Sequence, residues 1–102
     1  MSNDEVTVRL SGELDLSNRE TLERALAQVS EERDRVVVLD LSGLEFVEAH
    51  AVARWHVVGL HLRDRGSRLV LRHPRPVVER MMSLMDLDGA VEVDSSDPAR
   101  EQ

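Results

Sequence analysis

Asp40-Leu41-Ser42-Gly43-Leu44-Glu45-Phe46-Val47-Glu48-Ala49-His50-Ala51-Val52 is the stretch that decides the fold. The run that leads into it, Val36 to Leu41, is almost entirely apolar. Such a run marks a strand covered on both faces, as central strands of α/β sheets are. Ser42-Gly43 supplies turn chemistry, so a short loop is expected next. A helix then starts near Ala49, runs to about Arg65 and stops at Gly66. Ala51, Val52, Trp55, Val58, Gly59 and Leu62 fall on one side of its wheel, which predicts the face that meets the sheet.

Working outward, Val6, Val8 and Leu10 alternate with Thr7 and Arg9, the period of a half-buried strand. Ser11-Gly12 interrupts it, and Glu13-Leu14-Asp15-Leu16 follows. Ser17-Asn18-Arg19-Glu20 reads as a capping box with Ser17 at the N-cap. The helix it opens carries Leu22, Ala25, Leu26 and Val29 on one face. Leu69 to Leu71 predicts the next strand. Pro74 and Pro76 open a third helix with Val77, Val78, Met81, Met82 and Met85, since proline is tolerated in a first turn. Ala90 to Val93 is a last short strand, and 94–102 is expected to be a flexible polar tail. Strands and helices alternate throughout. The fold class is therefore α/β, with about four strands, mostly parallel, packed against three helices. We expect a single domain over 1–102.

The chain has 102 residues and a formal net charge of −7. An acidic domain lacks the basic footprint that phosphate contacts require, so no nucleic-acid partner is expected. All 13 basic side chains are Arg, the residue suited to planar, bidentate ion pairs. There is no Cys, so neither disulfides nor thiolate metal sites arise, in keeping with a cytoplasmic location. No apolar run reaches the ~18–20 residues that span a bilayer, and no direct membrane insertion is expected.

Asp40 to Val52 resembles the signature of the STAS domain, the fold of bacterial anti-sigma factor antagonists. The family line reads roughly Asp-Leu-Ser-Gly-Leu-x-Phe-Ile-Asp-Ser-Ser-Gly-Leu. Val6 to Asp15 resembles the family's second strand and its Gly-Glu-Leu-Asp turn. Arg65 to Leu71 resembles the segment after the second helix. Val77 to Asp88, with Met82, Leu87 and Asp88, resembles the third-helix line. The resemblance implies a non-catalytic regulator, without cofactor, whose partner is an anti-sigma factor with a histidine-kinase-like ATPase domain. It also implies departures. The family's N-terminal strand and C-terminal helix are expected to be absent or short, which leaves an open sheet edge and makes a homodimer through it an expectation.

The departure with most functional weight is at Ala49. In the family the first Ser of Asp-Ser-Ser is the phosphoacceptor, and its phosphorylation by the partner ends binding. A phosphate at a helix start would add charge of about −1.5 to −2. Ala49 has no hydroxyl, so the resemblance implies a chain held in the unphosphorylated form. The partner-binding surface implied is Glu13, Asp15, Ser17, Glu48, Ala49 and His50, with Val52 counted among them. The same helix start would hold the ATPase if the chain were instead the STAS subunit of a lipid ABC transporter. A homo-oligomeric scaffold is a third reading.

Catalysis has little support. No Gly-x-Gly-x-x-Gly, P-loop or nucleophile elbow occurs. Glu13 and Asp15 are paired carboxylates with no base partner. His50, His56 and His61 lack the i, i+3 or i+4 separation that helical ligands need, and His73 lies on another element, so no metal site is expected. Trp55 is expected to anchor the core.

Overall fold

The computed structural model describes residues 5–85, 87 and 89–95. The chain runs β1 (Glu5–Leu14), a 3-10 turn (Leu16–Asn18), α1 (Arg19–Val29), β2 (Val36–Val47), α2 (Ala49–Asp64), β3 (Arg68–Arg72), α3 (Pro76–Ser83) and β4 (Glu92–Asp94). The sheet order is β1-β2-β3-β4, and every neighbouring pair is parallel. The expected α/β architecture with three helices is the one observed.

Three boundaries differ from the sequence expectation. β1 does not stop at Leu10; it continues through Gly12, whose φ of +82° suits glycine. β4 is shifted to Glu92–Asp94, so Asp94 belongs to the sheet and not to a tail, and its carbonyl accepts from the His73 amide at 2.8 Å. Ser95 is also tied down, its hydroxyl donating to Glu79 at 2.7 Å. Residues 96–102 and Asp88 lie outside the described residues.

The largest difference is in the decisive stretch. Asp40 to Val47 is strand, not loop. The Cα register runs from Arg9↔Asp40 to Ser11↔Gly43, then from Gly12↔Leu44 to Glu13↔Phe46. β2 therefore carries one extra residue at each of two bulges, and each bulge resets which side chains face inward. This is why Leu41, Leu44 and Val47, three apart, are all buried. The Asp40 carboxylate accepts from the Ser42 amide at 3.0 Å and holds the first bulge. Gly43 leaves room for Arg9, whose guanidinium would sit 3.2 Å from a Cβ placed there.

All three helices pack on one face of the sheet. Val37, Leu39, Leu41, Leu69 and Leu71 form one cluster with Leu22, Leu26, Trp55, Val58, Leu62, Val78 and Met82. α2 comes so close to the segment before β4 that a Cβ at Gly59 would lie 2.3 Å from the Ala90 carbonyl oxygen.

β2 is covered on both faces, as expected, but its second cover is not a helix layer. By register and alternation, the other face carries rows Glu5/Val36/Arg68, Thr7/Val38/Val70 and Arg9/Asp40/Arg72. Val38 is the centre of this grid, and Glu5 and Arg72 are opposite corners. Their side chains meet at 3.4 Å, spanning β2 diagonally, and Val38 is fully buried. Arg72 also pairs with Asp94 at 3.3 Å, and Arg68 with Glu92 at 3.1 Å. Long charged side chains, not a helix layer, cover this face with their stems.

At the amino ends of the strands, Ser67 is buried. Its hydroxyl accepts from the Arg35 amide and donates to the Glu32 carbonyl, both at 3.1 Å. It joins the β3 start to the α1–β2 connection.

Candidate functional site

A parallel sheet brings the ends of β1 and β2, and the loops that follow them, to one rim. Glu13 pairs in register with Phe46, and Leu14 with Val47. The Glu48 amide then donates to the Leu14 carbonyl at 3.0 Å, which stitches the two strand exits together. The result is a shallow depression lined by Leu14, Asp15, Arg19, Leu22, Glu48, His50 and Ala51.

The turn after β1 is organised by Asp15 and not by Ser17. Asp15 sits in extended backbone, so its carboxylate reaches the Ser17 amide at 2.9 Å. The Asn18 side chain closes a capping box by accepting from the Asp15 amide at 2.9 Å, and it donates to the Glu13 carbonyl. The Ser17 hydroxyl donates to Asp15 at 2.6 Å. A carboxylate is the stronger acceptor, and it turns the expected Ser17 cap into a donor. α1 begins at Arg19 with no side-chain cap bond. The Ser17 hydroxyl, with the Ser17 and Asn18 amides, holds the Asp15 carboxyl below its ordinary 3.8 against an opposing effect of burial. Asp40 is lowered likewise, first by the Ser42 amide, then by the Ser42 hydroxyl, Arg9 and His73.

α2 starts at Ala49, with Glu48 as its N-cap residue and no side-chain cap bond. Ala49 is exposed, and Glu48 and His50 are half-buried. The His50 Nε2 is buried without a hydrogen-bond partner among the described residues. Of the candidate residues, Asp15, Glu48 and His50 line the depression. Glu13, Ser17 and Ala49 lie at the same rim and are exposed.

Val52 is the exception. It is fully buried in the cluster beneath the sheet-facing side of α2, so a partner's side chains cannot touch it. The reason is its place on the wheel beside Ala51 and Trp55. Conversely, Phe46 had not been counted as a surface residue. It is 40% exposed because the second bulge turns it outward. The motif's order of residues shows no sign of that bulge, though an aromatic between two core aliphatics three apart is a usable hint.

Among the described residues no group of three or more His, Asp or Glu side chains converges as a metal site. Among the described residues no helix is long and apolar enough to cross a membrane. The depression sets two carboxylates, Asp15 and Glu48, beside Arg19 and His50, with Leu14, Leu22 and Ala51 as its apolar lining.

The same architecture is found elsewhere. The chain is similar to the solved structure of the anti-sigma factor antagonist SpoIIAA in its unphosphorylated form, with a TM-score of 0.71 at 20% identity over 98% of this chain and 88% of that chain. Among curated proteins, none matches this chain in sequence. A family model described as "Mlab, STAS domain" matches residues 1–93. With that match over most of its length, the chain belongs to the STAS-domain family.

Proposed function

We propose that this chain is a non-catalytic, cytoplasmic STAS regulator that docks an anti-sigma factor of the histidine-kinase-like ATPase type. The docking surface is the rim formed by Glu13, Asp15, Ser17, Glu48, Ala49 and His50, extended by Phe46. One observation carries the reading: the exposed first residue of α2, where the family places its phosphoacceptor, is Ala49. With no hydroxyl there, kinase activity of the partner would not end binding, and the chain would be controlled by its abundance or by competition. The test has two steps. Partners captured from the source cell's lysate are identified, and a kinase-like anti-sigma factor is expected. That kinase with labelled ATP is then expected to leave the native chain unlabelled and to label Ala49→Ser, with release of the complex. Label on the native chain would end the reading.

A second reading is a STAS subunit that holds the ATPase of a lipid ABC transporter at the same rim. The exposed start of α2 would serve that partner equally. Recovery of a transport ATPase instead of a kinase would establish it.

A further inference from the structure

β1 is the outermost strand of the sheet, and among the described residues no strand lies beyond it. Its two halves differ. From Ser11 onward its pairing with β2 is interrupted twice by bulges, whereas from Glu5 to Arg9 the register is unbroken. Bulges twist an edge away from further pairing, so the regular segment with an available outer edge is Glu5 to Arg9. Its midpoint is Thr7.

That segment is complementary to itself. In an antiparallel pair centred on Thr7, Glu5 lies opposite Arg9 of the second copy, Val6 opposite Val8, and Thr7 opposite Thr7. Glu5, Thr7 and Arg9 are exposed on the charged sheet face, and Val6 and Val8 are half-buried on the helix-bearing face. Opposite charges, β-branched pairs and Thr–Thr pairs are each favourable cross-strand neighbours. Moving the centre by two residues to Arg9 sets Arg9 against Arg9 and brings in Ser11 to Glu13, which lie opposite the bulges of β2. Moving it by one, to Val8, sets Thr7 against Arg9 and Glu5 against Ser11, and loses both charge pairs.

We infer that two copies of this chain associate through the outer edge of β1, antiparallel and centred on Thr7, with Glu5 of each opposite Arg9 of the other. The two sheets join into one of eight strands. The two-fold axis is perpendicular to the sheet, so both sets of helices share one face and both charged faces share the other. Glu13 is six residues from the axis, so the two docking rims lie at opposite ends, about 40 Å apart at 3.4 Å per residue. The inference is independent of which partner occupies the rim.

The chain contains no Cys, so a single introduced thiol can bridge only between copies. Across antiparallel strands opposed Cβ atoms are about 4.5–5.5 Å apart, close to disulfide reach. On mild oxidation Thr7→Cys is expected to give covalent dimers, while Val57→Cys and Leu84→Cys, at other exposed sites, are expected not to. By sedimentation, Arg9→Glu is expected to weaken self-association about ten-fold, because two opposed pairs become like-charged. Circular dichroism is used to confirm that each variant folds. A monomer at millimolar concentration would overturn the inference. So would cross-linking at Val57→Cys or Leu84→Cys but not at Thr7→Cys.

Discussion

The Asp15 carboxylate holds Ser17 twice, through the amide at 2.9 Å and through the hydroxyl at 2.6 Å. This grip fixes the turn that presents Glu13 and Ser17 beside the α2 start. Its pH dependence follows from the lowered folded pKa of Asp15. A carboxyl depressed on folding contributes stability that is present above its unfolded value and lost as pH falls through its folded value. In an acid titration followed by NMR, the Ser17 and Asn18 amides are expected to shift with an inflection below 3.8, and Asp15→Asn is expected to abolish that inflection. An inflection above 3.8 in the native chain would contradict the grip.

Gly59 reverses the usual rule for glycine in a helix. Replacement by Ala ordinarily stabilises a helix interior by about 0.5–1 kcal/mol. Here the added Cβ would lie 2.3 Å from the Ala90 carbonyl oxygen and 3.0 Å from the Ala90 carbonyl carbon. Backbone on one side and helix on the other leave no room to yield. Gly59→Ala is expected to lower the midpoint of thermal unfolding; a rise would show that α2 and the segment before β4 are less tightly joined than the structure has them.

Trp55 is fully buried, yet its Nε1 has no hydrogen-bond partner among the described residues. A buried donor without a partner costs about 1–3 kcal/mol. Trp55→Phe removes that donor along with part of the ring, so the two effects oppose each other, whereas Trp55→Ala only opens a cavity. We expect Trp55→Ala to cost about 3–5 kcal/mol and Trp55→Phe to cost far less, as read from urea unfolding. Equal losses would indicate that the indole N–H has a partner in solution.

Much of the fold was legible because period-two and helical patterns coincide with its elements. Val6, Val8 and Leu10 announced β1, Leu22 to Val29 announced α1, and the wheel of α2 named Trp55 as core. What the pattern concealed has one cause in β2 and another at the rim. Bulges at Asp40–Gly43 and Leu44–Phe46 break the alternation that marks a strand, so strand passed for loop and Phe46 for a motif residue. At Ser17 the local rule was sound, but the rule for Asp15 applied two residues earlier and prevailed, because the Asp15 carboxylate takes both the amide and the hydroxyl of Ser17. Val52 was counted at the surface through the motif alone, although the helical wheel already placed it inward. The charged cover over Val38 depends on which residues meet across three strands, and no local window contains that.

Because all four strands point the same way, the sheet has two rims with separate duties. At one rim, the buried Ser67 hydroxyl locks the β3 start to the α1–β2 connection. At the other, Asp15, Glu48 and Ala49 belong to the proposed docking surface and carry little of the core. On that proposal partner choice and folding draw on different residues, so the docking surface can change while the scaffold that displays it stays the same.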